Sequence, residues 1–243
     1  MRIITRKGEI TEEVRKCFQA YNENNSLQCC VDTLNSYLLQ HKVKFPLLEF
    51  CGTTFFENLP EDQQIPFCDQ IAALGTIGGN VIIGIILQKR LPNHFEESIE
   101  KATEYIIQGA EWYVCDIIGE RVFGYSLLNE PYRTLLELKR LSVHENNWVV
   151  RSLGPACHYA IKKGLGKEEV KPVFEILLSM ANRKDQQIRQ GIGWAAKTTA
   201  KFHPDIIETY QKEIQNKRVV SSWFRTKVRI GLERYEYVNR NRS

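Results

Sequence analysis

Glu111-Trp112-Tyr113-Val114-Cys115-Asp116 stands just past Gly109 and opens a segment of helical apolar spacing that runs to Glu130-Pro131. In a helix, Trp112 and Asp116 are four positions apart and share a face. From residue 59 onward the chain keeps this rhythm. Segments of roughly 12 to 18 residues with helical periodicity alternate with breakers at Leu59-Pro60, Gly75, Leu91-Pro92, Gly109, Glu130-Pro131, Gly164-Leu165-Gly166 and His203-Pro204. Taken in pairs, the second helices are expected to begin near Ile77, Trp112, Asn147, Lys184 and Val219, at separations of 35, 35, 37 and 35 residues. A fixed period of this size predicts an all-α helical-hairpin solenoid. A hairpin cannot bury its apolar face alone, so neighbours stack, and the second helices are expected to line a concave inner wall carrying Asp116, Arg151 and Trp194.

Ahead of the rhythm, residues 1–10 read as an irregular lead-in, and Thr11-Glu12-Glu13 as a helix start. Residues 26–41 fit a second helix, Pro46 reads as an interruption, and residues 47–57 as a further helix. No strand signal of comparable length is present, and the chain is expected to form a single domain over residues 1–243.

Composition narrows the function classes. At 243 residues and 43% apolar content the chain can bury an ample core. Its longest apolar run, residues 81–87, is seven residues, against the roughly 20 a membrane span needs. The N-terminus lacks an apolar core of signal-peptide length, so a cytoplasmic protein is expected, nucleoid-associated if bacterial. Seven cysteines without a CxxC pair and five histidines without HxxxH spacing argue for reduced thiols and against a structural zinc site; neither metal nor cofactor is expected. Charge is uneven: residues 1–138 hold 12 Lys+Arg against 19 Asp+Glu, residues 139–243 hold 21 against 10. A basic half of this kind suits a polyanion or forms an ordinary solvated face.

Asp is almost never fully buried without a partner, so Asp116 needs a cationic neighbour or a wet cleft. Arg151, near the start of the helix opened by Asn146-Asn147-Trp148, suits a phosphate, or alternatively a salt bridge to Asp116 or a nearby Glu. In the fourth pair, Gly191 and Gly193 interrupt a helix interior, at about 0.5–1 kcal/mol each relative to Ala, so a neighbouring helix or a ligand is expected to approach their backbone.

Three stretches in order, Trp112-Tyr113-Val114-Cys115-Asp116, then Trp148-Val149-Val150-Arg151, then Ile192-Gly193-Trp194-Ala195-Ala196-Lys197 running into Ala200-Lys201-Phe202-His203-Pro204-Asp205, resemble the AlkD-type DNA alkylation repair enzymes, HEAT-like repeat DNA glycosylases. The resemblance spans about residues 25 to 235. It implies HEAT-like antiparallel helix pairs in a curved array with a basic concave face. It also implies a monofunctional glycosylase that hydrolyses the N-glycosidic bond of cationic alkylated purines such as 3-methyladenine and 7-methylguanine. Asp116 takes the catalytic carboxylate position, Trp112 and Trp194 the aromatic positions flanking the damaged nucleotide, Arg151 a backbone-contacting position, and Tyr37 the family's N-terminal tyrosine. Lys184, Arg189 and Lys197 are the further candidate DNA contacts. Two departures stand out: the family's Pro-x-x-Arg turn appears as Phe45-Pro46-Leu47-Leu48-Glu49 without the arginine, and Gly191 replaces the Ala before Ile-Gly-Trp.

The implied chemistry suits these residues. A cationic purine is a good leaving group, bond breaking builds positive charge on the deoxyribose, and a carboxylate stabilises that charge while orienting water. Each indole offers a cation–π contact of about 0.5–2 kcal/mol. The partner is double-stranded DNA with alkylated bases, bound with marked salt dependence; open arrays of this length need no second copy, so a monomer is expected. The alternatives are a catalytically inactive HEAT-like protein that binds damaged or branched DNA, and a protein scaffold with no nucleic-acid role.

Overall fold

Helix boundaries along the chain are set by breakers and caps whose chemistry is local. The computed structural model describes residues 3–240, which fall into two units, Met1–Gly109 and Ala110–Ser243, each dominated by helices that pack against neighbours in chain order, as an all-α solenoid requires.

The first unit runs β1 (Ile3–Ile4), α1 (Lys7–Asn24), α2 (Leu27–Ser36), a 3-10 turn at Leu38–Gln40, β2 (Lys42–Val43), α3 (Phe45–Asn58), α4 (Glu61–Ala73), α5 (Ile77–Arg90) and α6 (Phe95–Gly109). The two strands pair in parallel, Ile3 opposite Lys42 and Ile4 opposite Val43. Three expectations are corrected here. Of the supposed irregular lead-in, Met1 and Arg2 lie outside the described residues, and the rest holds β1 and the first turn of α1, which starts at Lys7 and not at Thr11. The Thr11 hydroxyl is no cap; it donates back to the Lys7 carbonyl at 3.2 Å. The helix expected over residues 26–41 ends at Ser36, where Tyr37 leaves helical geometry (φ −128°, ψ −72°). Pro46 interrupts nothing: it sits in the first turn of α3, where a missing N–H costs no hydrogen bond. The apolar run over residues 81–87 is the fully buried centre of α5, and no helix is long and apolar enough to cross a membrane among the described residues. Phe55 anchors this core, with Phe67 and Phe18 rings 4.5 and 5.3 Å away.

The second unit begins with one uninterrupted helical run: α7 (Trp112–Ile118), a π-helical stretch (Gly119–Gly124) and α8 (Tyr125–Asn129). It continues with α9 (Pro131–Ser142), α10 (Asn147–Lys162), α11 (Lys167–Ser179), α12 (Gln186–Phe202), α13 (Pro204–Thr209), α14 (Gln211–Gln215) and α15 (Ser222–Arg240). Second helices thus start at Ile77, Trp112 and Asn147 as expected, and at Gln186 and Ser222 in place of Lys184 and Val219. The delay before α12 has a cause: the Asp185 carboxylate accepts from the Gln187 and Ile188 N–H groups at 2.9 and 3.0 Å, so Asp185 caps the helix and cannot sit inside it.

The π stretch, α10, α12 and α15 lie side by side, and glycine sets their spacing. A Cβ on Gly154 of α10 would fall 2.0 Å from the Gly191 carbonyl oxygen, and one on Gly191 would fall 2.3 Å from that of Arg151. The neighbour at Gly191 is therefore a helix backbone and not a ligand, while at Gly193 it is the Lys227 side chain of α15, 3.0 Å away.

Candidate functional site

Asp116 lies one turn into α7, whose start is forced by Ala110 in the left-handed region (φ 47°) and Glu111 in extended conformation. Facing it across the α7–α10 contact is Arg151, on the second turn of α10. That helix is fixed at its start by Asn146, which accepts from the Trp148 N–H at 2.9 Å, and by Asn147, which donates to Asp185 at 3.0 Å. Cys115 adds a further tie, its thiol donating to the Trp148 carbonyl at 3.4 Å.

Arg151 is 5% exposed. Its Nη2 donates to Asp116 Oδ1 at 3.1 Å, and its Nη1 donates to Gln190 Oε1 at 3.2 Å and to the carbonyl and Oε1 of Gln187 at 3.4 Å. Its Nε is buried without a partner. Of the two sequence readings for Arg151, the ion pair to Asp116 is therefore the one the fold holds; a phosphate contact would require this guanidinium to turn outward from a site in which it is almost wholly enclosed. The Asp116 side chain keeps 22% of its surface open, and no hydrogen bond among the described residues reaches Oδ2. Burial raises its carboxyl above the ordinary carboxylate value, with Arg151 pulling the other way and losing.

Trp112, at the first position of α7, is 56% exposed and meets Tyr113 edge-on at 5.9 Å. Trp194 is half-buried on α12, four residues beyond Gln190, and stacks on His158 of α10 at 4.2 Å. Among the described residues no ring contact joins the two indoles. The fold thus brings Asp116 and Arg151 together, places Trp112 a turn from the carboxylate, and puts Trp194 a turn beyond the glutamines that hold Arg151.

The remaining candidates are more scattered. Lys184 is exposed just before α12, Arg189 lies with its guanidinium 6.0 Å from the Trp223 ring, and Lys197 is half-buried below Trp194. Tyr37 belongs to the first unit, where its hydroxyl donates to Glu9 at 2.7 Å and its ring tilts against His41. The cysteines are free thiols; burial pushes Cys115 and Cys157 up to about 12, which makes both poor nucleophiles. No group of three His, Cys, Asp or Glu side chains able to hold a metal occurs among the described residues.

The profile of the family described as DNA alkylation repair enzyme matches residues 42–226, well over half of the chain. The chain belongs to that family. Comparison with curated proteins and with solved structures returned no match. DNA alkylation repair enzymes act on DNA, and the matched span includes Trp112, Asp116, Arg151 and Trp194 but ends short of Tyr37. In this DNA alkylation repair protein the sequence reading overlooked Gln187, Gln190 and His158. A signal for the glutamines existed: Gln187, Gln190, Trp194, Lys197 and Lys201 recur at helical spacing and mark one stripe along a mostly buried helix. His158 had none beyond its four-residue separation from Lys162.

His158 closes the description of the site. Thr198 Oγ1 donates to the Trp194 carbonyl at 3.0 Å, which uses its only proton, so it accepts from His158 Nδ1 at 2.7 Å. The ring is then the Nδ1–H tautomer with its lone pair on Nε2. Burial, with Lys162 and Lys197 nearby, lowers its pKa to about 4, so it is neutral at physiological pH.

Proposed function

We propose that this protein is a DNA glycosylase that excises cationic N-alkylated purines, 3-methyladenine and 7-methylguanine among them, with Asp116 as the catalytic carboxylate. The observation that carries the reading is the division of labour at that side chain: Oδ1 is held by a buried arginine while the carboxylate keeps an open side next to an exposed indole. A carboxylate anchored through one oxygen is oriented in advance, and the other oxygen is left to face the positive charge that develops on the sugar and to align water. Partial burial strengthens that interaction, because the charge is less screened than in bulk water. Trp112, and Trp194 on α12, offer indole faces to a cationic nucleotide. Arg151 acts through Asp116 as a positioning residue in this reading, and Lys184, Arg189 and Lys197 supply phosphate contacts.

The test is release of 7-methylguanine from methylated duplex DNA. The wild-type protein should release it and Asp116→Asn should release it far more slowly; absence of release by the wild type across a range of salt concentrations removes the proposal. A second reading, DNA binding without bond cleavage, draws on the fact that Arg151 already neutralises the carboxylate. It expects no base release and undiminished DNA affinity in Asp116→Asn.

A further inference from the structure

South of Trp194 on the same stripe of α12, a cavity of about 210 Å³ opens between α10, α12 and α15. Four cationic side chains line it, Lys162, Lys197, Lys201 and Arg234, and no carboxylate does. None of the four forms an ion pair among the described residues, although the exposed arginines elsewhere on α15, Arg229 and Arg240, each hold a glutamate. The wall is completed by the stacked Trp194 and His158 rings, by Thr198 and by Phe202, over whose ring the Lys201 ammonium lies at 5.0 Å. Burial, then Arg234 and Lys227, lower the pKa of Lys197.

We propose that this cavity binds a phosphate monoester, the terminal phosphate of a DNA strand such as that left at a strand break. Four cations without a carboxylate around a small cavity, Lys197 among them half-buried, favour an anion, and the ligand that matches them best is small, rich in acceptor oxygens and doubly charged. A phosphate monoester carries about −1.5 to −2 charges at pH 7 and three acceptor oxygens, whereas each phosphodiester within a strand carries one charge. A terminal group can also enter a cavity end-on, while an internal phosphodiester must leave room for the strand to continue on both sides. Lysine suits this role as a mobile point charge, and Arg234 adds a planar fork. The neutral His158 lends no charge to the empty cavity, and an anion beside it favours its protonated form, which converts Nε2 into a further donor. The cavity shares Trp194 and Lys197 with the proposed nucleotide and phosphate contacts but involves neither Asp116 nor Arg151, and the inference requires only that the substrate be DNA.

Binding of the full chain to three otherwise identical duplexes tests this: one intact, one nicked with a terminal phosphate and one nicked with hydroxyls on both ends, the phosphate being placed at the 5′ side in one series and the 3′ side in another. The phosphate-bearing nick should bind at least tenfold tighter than the hydroxyl nick in one of the two series, and inorganic phosphate should compete more strongly than chloride at equal ionic strength. Lys197→Gln/Arg234→Gln should abolish the preference and Asp116→Asn should keep it. Lys201→Gln, at a half-buried lining residue, carries the same expectation if the double variant melts early. Equal affinity for phosphate and hydroxyl nicks in both series, or a preference that survives the substitutions, overturns the proposal. Because the readout is binding, a failure here leaves base release by the wild type, and the Asp116 reading with it, standing.

Discussion

Arg90 in the first unit and Arg151 in the second, where Arg121 is also buried, are enclosed to the same degree and built alike. Both are 5% exposed, both leave Nε without a partner, and both divide their Nη atoms between a carboxylate and a glutamine. They differ in how tightly the bonds close. Arg90 reaches Gln64 at 2.7 Å and Glu97 at 2.6 Å, and Glu97 is 48% exposed, with His94 and Glu61 forming a further contact beside it. Arg151 spreads over four acceptors at 3.1 to 3.4 Å, and its carboxylate is the more enclosed of the two. The first arrangement fixes helices to each other and leaves its acid in solvent, where it can do nothing but hold. The second holds its acid loosely and keeps it partly dry, which is the condition under which a carboxylate interacts strongly with a charge brought to it.

Substituting the two acids should separate the clusters most clearly. Asp116→Asn is expected to lower base release by about 10²–10³-fold, the range for removing one charge-stabilising group, and to lower the thermal midpoint as well, because the buried Arg151 loses the carboxylate that balances it; Glu97→Gln should leave base release intact. Equal effects would break the contrast. Next in size, Arg90→Ala should cost about 1–3 kcal/mol in urea unfolding, as expected when the buried Gln64 acceptor loses its donor, without altering turnover per folded molecule. Arg151→Met should reduce base release about 10- to 100-fold, the range for removing a partner that orients a reactive group. Since Arg151 lowers the Asp116 pKa, its loss should also move the acid limb of the pH–rate profile to higher pH.

Smaller effects test the frame around Arg151. Gly191→Ala places a methyl against the Arg151 carbonyl and should cost about 1–3 kcal/mol in urea unfolding, whereas at Gly193 the obstacle is a flexible lysine chain and Ala should be tolerated better. His158 provides the mildest test. Its folded pKa, about 4, lies below its ordinary 6.5, so between those values the unfolded chain binds more protons and stability falls as pH falls through the window. Thermal midpoints from pH 7 to pH 4 should show this decline, and His158→Gln should flatten it.

These clusters also mark what the sequence could and could not reveal. The starts of α5, α7 and α10 were legible because Gly75, Gly109 and the Asn146 cap punctuate strong apolar periods. The start of α15 was misplaced because Val220, an apolar residue that extends the pattern, is buried within a turn. The start of α1 was misread because no side chain caps it, and Pro46 because the same residue that stops one helix can open another. At the site, Asp116 and Arg151 were singled out separately and their pairing was one of two open readings, since a contact across 35 residues depends on helix register that periodicity does not supply. The π stretch left no trace beyond Gly119 and Gly124, whose role is visible only once α10 lies against them.

Where Gly154 meets Gly191, two helices touch through peptide groups with no side chain between them. Such a joint has no cushion: it cannot be retuned by exchanging one apolar residue for another, and a shift of α12 along or away from α10 would be felt at once by Gln187 and Gln190. On the proposed reading, a site mounted on so stiff a chassis is poorly able to reshape itself around lesions of different size, and the accommodation falls to the DNA strand.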